Sequence, residues 1–201
     1  MVNVKVDRSV SPHLSPHAGR ILAAADKLFY AQGIRAVGVD AVAAEAGVSK
    51  RTLYHHYRTK DDLIAAYLTS RFRHMEPSDA PARDQILGYF DYLERAFSRG
   101  DFRGCPYVNA VTELSDPRHA AAGIARQFKE QRRQWFHSLL SQQGVREPDA
   151  LATQLQLLGE GALSSFMVRH DPAVARSARA AAEVLLDAAG ARGPKRKKWK
   201  R

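Results

Sequence analysis

The chain has 201 residues, of which 45% are apolar, so it can bury a substantial core. Its 31 Lys and Arg against 21 Asp and Glu give a formal charge of +10, and what that implies depends on where along the chain the charge lies. The single cysteine, Cys105, excludes an internal disulfide framework and a cysteine-rich zinc site, and no apolar run reaches the length of a membrane span, so a cytoplasmic protein without a membrane partner is expected.

The charge is uneven. Residues 1–75 carry 11 basic and 6 acidic side chains, residues 76–190 carry 13 and 15, and residues 191–201 carry 7 and none. A basic end joined to a near-neutral body suits a protein that grips nucleic acid with one part and does something else with the rest.

Residues 1–15 show no hydrophobic period and no continuous apolar stretch, so a flexible arm is expected there and a secretion signal is not. Ser15-Pro16 supplies an N-cap followed by proline at the first helical position, and Ile21, Leu22, Ala25, Leu28 and Phe29 form the buried stripe of a first helix that stops near Gln32-Gly33. Two short helices then follow in close succession. Val39, Val42, Ala43 and Ala46 recur at three- and four-residue spacing; Gly47 stands where the chain must turn sharply, and Ser49 stands where it can cap the next helix. In that second helix Leu53 and Tyr57 face inward, which leaves Lys50, Arg51, Thr52, Tyr54 and His55 outward. This is a face of hydrogen-bond donors, with an arginine able to fork onto a guanine edge. Thr59-x-x-Asp62 has the form of a capping box opening a fourth helix, in which a phosphate would give Lys60 a reason to sit in the first turn. An ordinary helical hairpin with a solvated basic face satisfies the same spacing.

Taken whole, the string Ala-Ala-Glu-Ala-Gly-Val-Ser-Lys-Arg-Thr-Leu-Tyr-His-His-Tyr-Arg-Thr-Lys, ending at Lys60, resembles the signature of the TetR family of bacterial transcriptional regulators. The resemblance implies an all-α protein: a three-helix helix-turn-helix domain at the N-terminus, followed by a helical domain that dimerises and binds a small-molecule inducer. By position, Lys50, Arg51, Thr52, Tyr54, His55, His56 and Lys60 match the family's DNA contacts, and Leu53 and Tyr57 its core. One departure is visible: where the family often has a threonine before the first short helix, this chain has Gly38, so any hydroxyl contact there is lost.

Beyond the fourth helix (Leu63, Ile64, Tyr67, Leu68), Pro77-Ser-Asp-Ala-Pro81 breaks the chain. The expected division is an arm to residue 15, a DNA-binding domain over 16–76 with its linking helix at about 60–75, a body over 82–190, and a basic tail over 191–201. In the body, Ile86, Phe90, Leu93 and Phe97 mark one amphipathic helix, and a short helix runs from Pro106 to about Leu114. A long helix shows Ile124, Phe128, Trp135 and Leu139 on one side. Two helices rich in small residues follow, over about 149–169 and 172–189. The first is marked by Leu151, Leu155, Leu158, Ala162 and Phe166, the second by Val174, Ala178, Ala181, Leu185 and Ala188. Small residues allow close helix approach, so these two either pack within one chain or, as the resemblance implies, form a homodimer interface over about residues 149–189.

Phe90, Tyr107, Asn109, Phe128, Trp135 and Phe166 are candidates to line an inducer pocket, with Glu113 and Glu160 as further polar candidates; aromatics at helical spacing also serve simply as core. Arg103-Gly-Cys-Pro-Tyr-Val-Asn-Ala resembles a motif in one subset of TetR-like regulators, and a thiol before a helix, Cys105, is a candidate sensor or just a small buried residue. Histidines occur at no metal-ligand spacing and no nucleophile motif is present, so no metal, cofactor or catalytic residue is expected. The tail, with six of its last seven residues basic, suits sequence-independent phosphate contacts or plain solvation. The expected function is a sequence-specific, homodimeric repressor bound to a near-palindromic double-stranded DNA operator and released by an inducer; the alternative is an architectural DNA-binding protein with no inducer.

Overall fold

A computed structural model describes residues 15–72 and 78–191; the expected N-terminal arm, up to residue 14, and the basic tail from residue 192 lie outside the described residues. The described residues form nine helices and no strand: α1 (Pro16–Gln32), α2 (Val39–Glu45), α3 (Lys50–His56), α4 (Lys60–Ser70), α5 (Ala82–Phe97), α6 (Pro106–Leu114), α7 (Ala120–Gln142), α8 (Pro148–Arg169) and α9 (Ala173–Ala188). None of them is long and apolar enough to cross a membrane.

The helices gather into two compact units. One holds α1–α4 together with Arg103–Lys129, which brings α6 and the first part of α7; the other holds α5, α8, α9 and the remainder of α7. Residues 103–129, grouped from sequence with the body, thus belong to the unit that contains the helix-turn-helix.

In the first unit α1 is the brace. Ser15 starts it by accepting the Ala18 N–H at 3.2 Å, Pro16 occupies its first turn, and Ala18, Ile21, Leu22, Ala24, Ala25 and Phe29 are buried along one face. That face packs on α2, α3 and α4, whose contributions include Val42, Ala43, Leu53, Leu63, Ile64, Tyr67 and Leu68. Tyr57 closes the cluster by donating its hydroxyl to the Ala18 carbonyl at 3.3 Å. From α6, Tyr107 donates to the Leu68 carbonyl at 3.2 Å and stacks on Phe128 with ring centroids 4.0 Å apart.

In the second unit α5 and α8 both pack on α9. α5 buries Ile86, Phe90, Leu93 and Phe97, as its spacing predicts, together with Leu87 and Tyr89, and α8 buries Leu151, Ala152, Leu155, Ala162 and Phe166. Two details differ from the sequence reading. The inward stripe of α9 is Ala175, Ala178, Ala182 and Leu186, turned largely to the neighbours of the expected residues. On α7 the fully buried aromatic is Phe136, one position after Trp135, with Leu139 and Leu140 below it. Each shift follows from the other neighbour being apolar too, so the pattern alone does not choose between them.

Candidate nucleic-acid interface

The local chemistry of α2, α3 and α4 fixes the site. α2 ends in a Schellman turn: the Gly47 N–H donates to Ala44 O at 3.1 Å and the Val48 N–H to Ala43 O at 3.0 Å, with Gly47 at φ +62°, a conformation glycine adopts without steric cost. Ser49 then caps α3, accepting the Thr52 N–H at 3.0 Å and sharing a 2.9 Å hydroxyl bond with Thr52 Oγ1. Leu53 is fully buried, so the rotation of α3 about its axis is set and its opposite side must face solvent. α4 opens with the complete capping box: Asp62 N–H to Thr59 Oγ1 and Thr59 N–H to Asp62 Oδ2, both at 3.0 Å.

The outward face of α3 carries exposed Lys50, Arg51, Tyr54 and His55, with Thr52 and His56 half-buried at its edges. Their commitments differ. Lys50 pairs with Asp40 at 2.9 Å, and that hydrogen bond and charge raise its pKa above the ordinary lysine value. Arg51 makes no hydrogen bond or ion pair among the described residues, so its fork of donors is uncommitted. Lys60 donates its ammonium to the Ile34 carbonyl at 2.7 Å, and burial holds its pKa below the ordinary value. It still has two further N–H groups to offer a phosphate.

One neighbour is invisible in the sequence pattern. His17, in the first turn of α1, stacks on His56 at 6.3 Å, and His55 meets His56 edge-on at 5.2 Å, so three imidazoles line one edge of this surface. Only the packing of α1 across α3 reveals the first of them.

The remaining candidates lie elsewhere. Tyr107 and Phe128 sit with Phe72 in the helix-turn-helix unit; Phe90, Trp135 and Phe166 sit in the other, where Phe166 stacks on Phe97 at 4.5 Å and Trp135 packs on Phe136. Asn109 donates to the Arg103 carbonyl at 2.8 Å, closing the loop before α6, and Glu113 accepts the Arg35 N–H at 3.0 Å. Glu160 is half-buried on α8. Cys105 is the N-cap residue of α6, half-buried, with no side-chain capping bond. Among the described residues no group of three or more His, Cys, Asp or Glu is placed to hold a metal ion.

A braced pair of short helices, turned by glycine and presenting a donor-rich second helix, defines a helix-turn-helix DNA-binding protein. The profile of the bacterial regulatory proteins of the tetR family matches residues 21–67. A solved structure described as a TetR transcriptional regulator, from Streptomyces avermitilis, superposes with a TM-score of 0.77 at 34% identity, covering 88% of this chain and 99% of that one. The HTH-type transcriptional regulator YjdC of Escherichia coli is 27% identical over 174 residues, 83% of this chain and 91% of its own. The HTH-type transcriptional repressor KstR2 of Mycobacterium tuberculosis is 27% identical over 146 residues, 69% of this chain and 71% of its own. The chain belongs to the TetR family of transcriptional regulators.

Proposed function

We propose that this regulator is a cytoplasmic homodimeric repressor that reads a near-palindromic operator and releases it when a small molecule binds the helical body. The observation that carries the operator reading is the uncommitted guanidinium of Arg51 in the first turn of α3, on the exposed face whose rotation Leu53 fixes. In this reading Arg51 and Thr52 contact base edges, while Tyr54, His55, His56 and Lys60 hold phosphates. Lys50 joins them by exchanging Asp40 for a phosphate, a cheap exchange because both partners are exposed.

Pairing through α8 and α9 is supported by their unused apolar surface. Leu157, Leu158, Gly161 and Ala162 of α8 and Val174, Ala178 and Ala181 of α9 line a shallow groove, and Leu157 and Val184 remain 63% and 68% exposed. A second copy would cover what a lone chain leaves in water. Dimerisation also doubles a small set of base contacts into two half-sites. Repression is supported by the likeness to KstR2, and a coupling of roughly 1–3 kcal/mol between inducer and operator is enough for a useful switch.

The test is selection of DNA from a random pool, followed by affinity for the best site against a scrambled duplex at physiological salt. A two-fold symmetric site preferred by on the order of a thousandfold supports the repressor. Equal affinity for both duplexes would replace it with an architectural DNA-binding protein.

A further inference from the structure

The turn between α1 and α2 is held in an unusual way. Its residues precede the first helix of the helix-turn-helix, and α2 begins at Gly38 with no side-chain capping bond, so the start of α2 must be placed by something other than its own cap. Three consecutive residues of the turn are gripped from outside. Gly33, at φ +93°, presents a bare Cα to the Glu113 carboxylate of α6; a Cβ there would lie 3.0 Å from Glu113 Oε2 and 3.2 Å from Oε1. Ile34 gives its carbonyl to the Lys60 ammonium of α4 at 2.7 Å. Arg35 donates its backbone N–H to Glu113 Oε2 at 3.0 Å and returns its guanidinium to the Leu114 carbonyl at 3.3 Å.

We propose that Glu113 is a positioning residue for DNA recognition: from the last turn of α6 its carboxylate fixes the α1–α2 turn, and through it the orientation of α2 and α3 against DNA. Glu113 lies outside residues 21–67, the part matched by the family profile, and among the described residues it makes no hydrogen bond or ion pair to α3. Its reach is through the backbone. The Arg35 amide is set by an anion on one side, the Ile34 carbonyl by a cation on the other, and the chain passes from Arg35 to α2 within four residues, so rotation of this turn moves α2. α2 in turn is tied to α3 by the Schellman turn and by Asp40 and Lys50. The reciprocal Arg35 bond to Leu114 makes the end of α6 and the start of the helix-turn-helix move as one piece.

The experiment separates the bond from the charge in the full-length protein, using the operator selected as above and a scrambled duplex as probes. Glu113→Asp keeps the charge and shortens the reach; Glu113→Gln loses the charge and keeps an acceptor oxygen at the same reach. Glu113→Asp is expected to lower the ratio of operator to scrambled affinity about tenfold, the effect of one charge-assisted hydrogen bond. Glu113→Gln is expected to lower the ratio by no more than about threefold, because a neutral acceptor still holds the Arg35 amide with about half the strength of a charged one. The melting temperature of each variant is followed alongside. An unchanged ratio in Glu113→Asp overturns the proposal, and so does a Glu113→Gln variant that loses selectivity as fully as Glu113→Asp, since an acceptor at the right reach would then not be what holds the turn. If either variant fails to fold, Glu113→Met fills a similar space without an acceptor oxygen. It is expected to lower the ratio about tenfold, and a ratio unchanged from the parent overturns the proposal. The inference rests on the operator reading, and the two fail differently: a parent protein with no operator preference defeats that reading, whereas a selective parent with a selective Glu113→Asp variant defeats only the role of Glu113.

Discussion

Replacing Gly159 by alanine sets two elementary effects against each other. Gly159 is a mid-helix glycine in α8, and helix propensity alone predicts that alanine stabilises by about 1 kcal/mol. The structure predicts the reverse. A Cβ at this position would fall 2.7 Å from the Tyr89 hydroxyl oxygen and 2.8 Å from its Cε1, well inside contact distance. The tyrosine has little room to retreat. It is 3% exposed, with Phe90 and Phe136 at 5.2 and 5.3 Å between ring centroids and the Arg132 guanidinium over its face at 4.7 Å. Overpacking of this kind costs about 1–3 kcal/mol, so it cancels or outweighs the propensity gain and a net loss of up to about 2 kcal/mol is expected. For a chain of this length that lowers the melting temperature by about 2–4 °C per kcal/mol, measured at one protomer concentration because dimerisation would shift it. Two companions sharpen the result. Gly123→Ala on α7, where nothing lies within 4 Å of the new Cβ, should be neutral or stabilising by up to about 1 kcal/mol. Tyr89→Phe combined with Gly159→Ala should recover part of the loss, since the hydroxyl goes and Cε1 stays. A Gly159→Ala protein that melts higher than the parent would refute the reasoning, because it would mean that α5 and α8 move apart at almost no cost.

Arg51→Ala should weaken operator binding by about 1–3 kcal/mol while leaving scrambled-duplex affinity nearly unchanged; equal losses on both would make Arg51 a phosphate contact. Leu157→Glu with Val184→Glu should shift the mass measured by light scattering at micromolar concentration from dimer to monomer, and a parent protein that is itself monomeric would sink the α8–α9 interface. Thr59→Ala removes one half of the α4 capping box and should cost about 1 kcal/mol in urea denaturation, against no change if water replaces the hydroxyl fully. At alkaline pH, burial raises the pKa of Tyr57 and Tyr67 in the folded protein, so their contribution is complete below the unfolded value of about 10 and is lost as pH rises beyond it. Lys60, whose folded pKa is lowered by burial, binds its proton less well than the unfolded chain and returns stability as pH climbs toward 10.5. With two tyrosines against one lysine, the urea midpoint should fall above pH 10 and the fall should flatten in Tyr67→Phe; an equally steep fall there would assign the loss to other groups.

What the sequence made legible was whatever is decided within a few residues. The Ser49 cap, the Gly47 turn and the Thr59–Asp62 box each close over three or four positions, so their chemistry is written in the order of residues and appears in the structure as read. The long apolar helices were legible as helices but not always in rotation. On α9 the stripe Val174, Ala178, Ala181, Leu185, Ala188 and the stripe Ala175, Ala178, Ala182, Leu186 are both apolar, and only the presence of α5 and α8 selects the second as the inward one. The members of the first that the second does not share are left only partly covered or exposed, and in the proposed dimer they are the face with work to do.

Least legible were the roles of polar side chains, because a role depends on a partner that the local pattern does not show. Glu113 reads as a polar candidate for a pocket until Arg35, 78 residues earlier, is seen donating to it. Among the DNA candidates the same logic reorders the list. Lys50, Thr52 and Lys60 share their donors with Asp40, Ser49 and Ile34, so each must add or exchange a partner on reaching DNA, and the free energy of that exchange is small whichever sequence is met. Arg51 has nothing to exchange among the described residues, so a base edge that satisfies its fork contributes in full and a base edge that does not leaves the fork to water. Selectivity should therefore concentrate in Arg51, with the lysines setting affinity and its dependence on salt.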